Sequence, residues 1–198
     1  EVTDTMRTLI GLPLCVALTA CVKSDVDAKR TVAADASIKP MQSLLVFVES
    51  VSADSAREVE VTVVKELRDS GVAVQLGSTH IAFDAPINQV FDKAEALAVD
   101  GTLVVAVEST GVEVDRDPMP GFGPNGQIYR RDSSSKRVGQ YSARLYDMRV
   151  KGKHPRVWQA KANAEAGAFV NTNEMTAHTA RQIVSELEGD DLIARAER

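Results

Sequence analysis

Cysteine is nearly absent from this chain: two in 198 residues, Cys15 and Cys21. No disulfide framework can be built from them, and a zinc site made of four thiolates is excluded. Aromatic residues are only 5% of the chain, with a single tryptophan, so stacking platforms for bases or sugars are scarce. Basic residues are in deficit, 23 against 28 acidic ones, for a net charge of −5. That balance leaves no positive footprint for a nucleic acid. No apolar run approaches the roughly 20 residues a membrane-spanning helix needs. What is present is ordinary for a globular domain. Hydrophobic residues make up 44% and charged residues 26%, which excludes a wholly disordered chain. The length predicts one domain.

The amino end carries an address. Met6 reads as the start, with Glu1–Thr5 upstream of it. Arg7 then precedes ten apolar residues, Leu9–Leu18 (LIGLPLCVAL). One basic residue followed by about ten apolar ones is the pattern of a secretory signal. Pro13 inside the run weakens any spanning helix. Next come Leu18-Thr19-Ala20-Cys21, which resemble the lipobox of bacterial lipoprotein precursors. The resemblance implies a diacylglycerol on the Cys21 thiol, cleavage before Cys21 and acylation of the new amine. Because Val22 rather than aspartate follows, it also implies the outer membrane, facing the periplasm. The alternatives are an ordinary signal cut near Ala20 that leaves Cys21 as a free thiol, or a buried apolar helix with two chance cysteines. Removing residues 1–20 takes away Arg7, Glu1 and Asp4, leaving 22 basic and 26 acidic residues and a charge of −4.

The predicted division is therefore a signal over 1–20, a lipidated flexible tether over 21–42 and a single α/β domain over 43–190. Residues 22–40 (VKSDVDAKRTVAADASIKP) are polar and alanine-rich. A flexible stretch of about 19 residues spans roughly 24 Å on average and about 63 Å when fully extended. The domain would then stand off the membrane.

In the body, Ser43–Ser50 is a continuous apolar run of strand length, as expected for a central strand covered on both faces. Residues 52–70 are helical: Ala56, Val59, Val63 and Leu67 form one stripe, Ser52 or Asp54 caps the start, and Gly71 ends it. Val72–Leu76 is a short strand. Ile87–Val99 is a second helix with Val90, Phe91, Ala94, Leu97 and Ala98 as its apolar face. Thr102–Glu108 is a buried strand that can run on to Val114. Strands alternating with helices imply right-handed crossovers and a partly parallel sheet. Val138–Val150 and Val157–Ala166 alternate instead, as antiparallel strands with one wet face. Trp158, Ala160, Ala162 and Ala164 share a face, small enough for the last helix, 172–187, to lie close above it. The fold class is mixed α/β, a two- or three-layer sandwich: a parallel βαβαβ first half, an antiparallel hairpin and a C-terminal helix.

Two stretches carry a further resemblance. Ala96-Leu97-Ala98-Val99-Asp100-Gly101-Thr102-Leu103-Val104-Val105 ends a helix at an Asp-Gly turn before a buried strand. Leu145-Tyr146-Asp147 and Val157-Trp158 mark the two strands of a later hairpin. With the order of elements, these resemble the penicillin-binding-protein activator lipoproteins, the periplasmic domain of the curli-secretion lipoprotein and the amino-terminal domain of TolB. That class brings no catalytic residues to carry over.

A search for chemistry finds little. Gly121–Gly126 spells G-x-G-x-x-G, but Gln-Ile-Tyr-Arg-Arg follows where a dinucleotide site needs a helix, and Pro124 interrupts it. His80, His154 and His178 lack metal-ligand spacing, so no metal is expected, nor any other cofactor. There is no G-x-S-x-G elbow, and Ser133–Ser135 reads as polar loop. Glu49, Glu108, Glu113, Asp115 and Asp117 single out no acid–base pair. The unusual segment is 115–137, a long loop holding Met119, Phe122, Ile128 and Tyr129 among Arg116, Arg130, Arg131, Lys136 and Arg137. Loops of this length are functional or disordered. As a functional one, it would place Phe122, Tyr129, Arg130 and Arg131 at a partner protein. The expectation is a non-enzymatic, lipid-anchored accessory protein of the envelope, held to the membrane at Cys21 and docking on an assembly or transport protein. The alternative is a periplasmic hydrolase with scattered catalytic residues.

Overall fold

The computed structural model describes residues 22–31, 38–50, 52–115, 121–122, 128–129, 134–167 and 169–194. The elements are β1 (Val22–Arg30), β2 (Ser43–Glu49), α1 (Ala53–Asp69), β3 (Ala73–Leu76), a 3-10 turn (Gly77–Thr79), α2 (Ile87–Ala96), β4 (Gly101–Asp115), β5 (Gly121–Phe122), β6 (Ile128–Tyr129), β7 (Ser134–Asp147), β8 (Arg156–Gly167) and α3 (Thr172–Gly189). Six strands form one mixed sheet in the order β1-β8-β7-β4-β2-β3. β2 is parallel to both β3 and β4, as the alternating first half requires; β4–β7, β7–β8 and β8–β1 are antiparallel. The fold is the expected mixed α/β.

Each element has a local cause. The middle of β2, Leu44–Val48, is buried throughout, because helices cover both faces of the sheet there. α1 starts where the Ser52 hydroxyl accepts the Ser55 N–H and stops before Gly71, which takes the left-handed φ of 88°. Asp100 clasps two strand starts: its carboxylate accepts the N–H groups of Gln42 and Ser43, and its own N–H donates to Ser43. The next residue is glycine where space is tight: a Cβ added at Gly101 would sit 2.3 Å from the Met41 sulfur and displace it.

α2 is shorter than expected. It stops at Ala96, and Ala98 turns outward with φ 51°, exposed rather than on the apolar face. The Val99 N–H reaches back to the Ala94 carbonyl, so Ala98 occupies the left-handed position that glycine usually fills. Alanine is strained there. Ala98→Gly is expected to stabilise the domain by about 0.5–1 kcal/mol, net of the extra freedom it gives the unfolded chain. A lower melting temperature in that variant would contradict this cap.

α1 and α3 pack side by side on one face of the sheet, and α2 lies on the other. Three layers therefore stand over β2 and β4. On the α1/α3 side the core gathers Leu44, Val46, Leu103, Val105, Ala143, Leu145 and Trp158 against Val63, Leu67, Ile183 and Leu187. The alanine row behaves as read: Ala160, Ala162, Ala164 and Ala166 are all buried, and Met175 of α3 lies over Ala162, Ala164 and Ala166. Ala162→Leu is expected to overpack this interface and cost about 1–3 kcal/mol. Lys161→Leu, on the open face, is expected to change stability by no more than about 0.5 kcal/mol. Urea midpoints read the two, and equal shifts would reject the register.

Two expectations about the ends of the sheet need correction. The segment read as a tether is instead an edge strand from Val22 to Arg30, paired rung by rung with β8. Val22, Ser24, Val26 and Ala28 turn inward under α3, where the Ser24 hydroxyl donates to Gln182, while Lys23, Asp25, Asp27 and Lys29 face solvent. The alternation is real but written in small and polar residues. Likewise, the long loop is partly a ribbon. β4 and β7 stay paired out to Asp115 and Ser134, so Lys136 and Arg137 belong to a strand.

Candidate functional site

β4 runs on beyond β2, whose pairing with it ends at Ala106, past an irregularity between Val107 and Ser109, while β7 stays paired with β8 out to Lys136 and Gly167. Beyond that irregularity, residues Ser109–Val114 are exposed on both faces of the ribbon. Val112 and Val114 are 55% and 46% exposed. Lys136 bridges Glu113 and Glu165 at 3.1 Å each, and the two carboxylates raise its pKa. Further out, Gly121 pairs with Tyr129 and Phe122 with Ile128. Two of the four residues expected to meet a partner, Phe122 and Tyr129, thus lie on facing strands of one small hairpin. Arg130, Arg131 and Cys21 lie outside the described residues. The element after the G-x-G-x-x-G stretch is strand β6, not a helix.

A second feature was not anticipated. Glu60 of α1 is 2% exposed, and its Oε1 accepts the Ser78 N–H at 2.9 Å while Oε2 has no partner among the described residues. It lines a cavity of about 210 Å³ with Phe47, Val48, Arg57, Ile81 and Phe83, at the carboxyl end of parallel strand β2. Gly77 makes room for it: a Cβ there would meet the Val46 carbonyl at 2.6 Å and Glu60 at 3.1 Å. The signal in the sequence is spacing, because position 60 falls on the same helical stripe as 56, 63 and 67.

The sheet face opposite α3 is open over β1, β8 and β7. It forms a shallow trough lined by Asp27, Lys29, Glu108, Arg144, Gln159 and Lys161, where Arg144 pairs with Glu49. Asp147, at the end of β7, is held by its neighbour: burial alone would raise its pKa, but hydrogen bonds from the Arg149 side chain and N–H bring it below the usual range. The carboxylates considered for acid–base work are dispersed, Glu49 on Arg144 and Glu113 on Lys136. His154 lies 3.4 Å from Glu95 and packs on Phe91 in the turn after β7. None of the described cavities is lined by that pair. Among the described residues no group of acidic, histidine and cysteine side chains could hold a metal ion, and no helix is long and apolar enough to cross a membrane.

The fold has counterparts among solved structures. The chain is similar in fold to PelC. The structure concerned is the PelC dodecamer of Paraburkholderia phytofirmans, 15% identical, with a TM-score of 0.55 over 87% of this chain and 99% of that one. A second likeness is to the hypothetical protein CT253 of Chlamydia trachomatis, 14% identical, with a TM-score of 0.51 over 78% and 98% of the two chains. The lipoprotein GNA1162 of Neisseria meningitidis aligns over 74% and 98% at 16% identity and a TM-score of 0.46. No protein-family model matches the sequence, and no curated protein matches it. At these identities the likeness to PelC and CT253 is one of fold, and it takes in nearly all of those two chains.

Proposed function

We propose that the chain is a lipid-anchored accessory protein on the periplasmic side of the outer membrane, and that it works by contacts with an envelope assembly or transport protein rather than by catalysis. The observation that carries this reading is the β4–β7 ribbon. Its β4 side is exposed on both faces over Ser109–Val114, yet it keeps paired strand geometry to Asp115 and Ser134. A strand edge with exposed side chains is suited to present them to another chain. The lipobox residues Leu18-Thr19-Ala20-Cys21 supply the anchor. PelC, of similar fold, is a dodecamer, which favours a working surface made of chain-to-chain contacts.

The test removes Met119–Ser133 and bridges the gap with a short glycine–serine linker, leaving the Asp115–Ser134 rung in place. Shortening an outlying loop changes closure entropy only slightly. The variant is expected to fold, melt near the parent and lose its crosslinked envelope partner. A variant that keeps its partner and its full function would move the working surface from the removed segment to the remaining rungs or to the open sheet face around Arg144.

A further inference from the structure

We infer that one end of the sheet lies against the bilayer, with Phe169, Val112 and Val114 at the lipid surface. The inference rests on the proposed acylation of Cys21. It starts from the first rung of the sheet. Val22 pairs with Ala166, Ala166 with Arg137 and Arg137 with Val112, so four strands share one row. Cys21 is bonded to Val22, and its Cα lies about 3.8 Å away. An acyl group on Cys21 therefore has no tether. It draws the whole row to the membrane rather than letting the domain hang tens of ångströms below it.

What that end exposes is apolar. Val112 lies in the row itself, about 14 Å along it from Val22 at the usual strand spacing. Val114 lies two residues, or about 7 Å, farther out than the row, and so beyond Cys21. Both are large hydrophobic residues left exposed by the fold. Phe169, two residues past the end of β8 at Gly167, is 104% exposed. Its neighbour Val170 is buried against the alanine row, so the short turn into α3 holds Phe169 outward. A fully exposed phenylalanine fits the boundary between headgroups and acyl chains. Among the exposed charges at this end, Lys136 sits between Glu113 and Glu165, and Lys23 lies on the rung of Glu165. The ribbon then meets its partner at the bilayer, not out in the periplasm.

The experiment uses the full acylated protein in vesicles of phosphatidylethanolamine and phosphatidylglycerol. With the signal removed and Cys21 acylated, an introduced cysteine is the sole free thiol. A polarity-sensitive fluorophore is placed at Val114→Cys, and in a second protein at Lys151→Cys, in the turn after β7 at the opposite end. The label at 114 is expected to shift to the blue and to be quenched several-fold more than the label at 151 by lipids carrying a shallow quencher. Adding Phe169→Asp is expected to remove most of that difference. Equal, water-like emission from both labels overturns the proposal, as it would if a protein covered this end instead. Quenching at 114 that Phe169→Asp leaves untouched overturns the role of Phe169. A chain that carries no acyl group and does not float with vesicles overturns the anchor reading and this one together, and fatty-acid labelling tells that case from the others.

Discussion

Trp158→Ala is expected to destabilise the domain by about 3–5 kcal/mol, enough to leave a marginally stable fold partly unfolded at 37 °C. Trp158 is fully buried on β8, in the cluster that joins the sheet to α3 and α1. Its neighbours on the same strand face are alanines, which cannot close inward over an indole-sized hole. The loss has a polar part as well. The indole N–H donates to Asp190 at 2.9 Å, and Asp190 is the residue that caps the end of α3. Trp158 thus ties the last turn of the last helix to the strand beneath it. Trp158→Phe separates the two contributions. It keeps most of the apolar volume and removes the donor, so it is expected to cost about 1–2 kcal/mol. Denaturant unfolding of both variants reads the difference. If alanine costs no more than phenylalanine, the residue is not the keystone of this layer.

How much of this was legible in the sequence depends on how each burial is written. β2 and α1 were plain, because Leu44–Val48 and the stripe Ala56-Val59-Val63-Leu67 state their burial in large apolar side chains. β1 was not, because its inward residues include Ser24 and Ala28 and its outward ones are all charged. An edge strand defended by charges reads like a tether until its partner is known. The ribbon was obscured by its middle: proline and glycine between 118 and 126 signal a loop, while the pairing from 109 to 115 depends on β7, some twenty residues farther on. Of the expected partner residues, Phe122 and Tyr129 are placed on one hairpin. Glu60 is hard to find because a carboxylate gives no hydrophobic signal of its burial. Its spacing places it on the buried stripe, whereas Val61 beside it is half exposed. On that helix, period predicts burial better than hydropathy does.

Cys21→Ser is expected to abolish incorporation of a fatty-acid analogue and to leave the precursor uncut. A serine hydroxyl is far less nucleophilic than a thiol and does not replace it as the acceptor of the lipid. The structure makes this a clean test of anchoring. The sheet begins at Val22, whose partner is Ala166, and the described core begins with it. A change at position 21 therefore removes no buried contact described for the domain, and its melting temperature is expected to match the parent. Acyl chains act by number: one binds a membrane with an association constant of only about 10⁴ M⁻¹, whereas two or more hold stably. A mature form cut before residue 21 that remains membrane-bound with serine in place would show that something other than Cys21 holds the protein there. The companion variant inserts a flexible glycine–serine stretch between Cys21 and Val22. It is expected to stay acylated and pelletable, because the thiol and the motif before it are unchanged. It separates the anchor from the first rung of β1, and a label at Val114 should then return toward water. Anchoring and orientation are thus lost independently, one at residue 21 and the other at the bond that follows it.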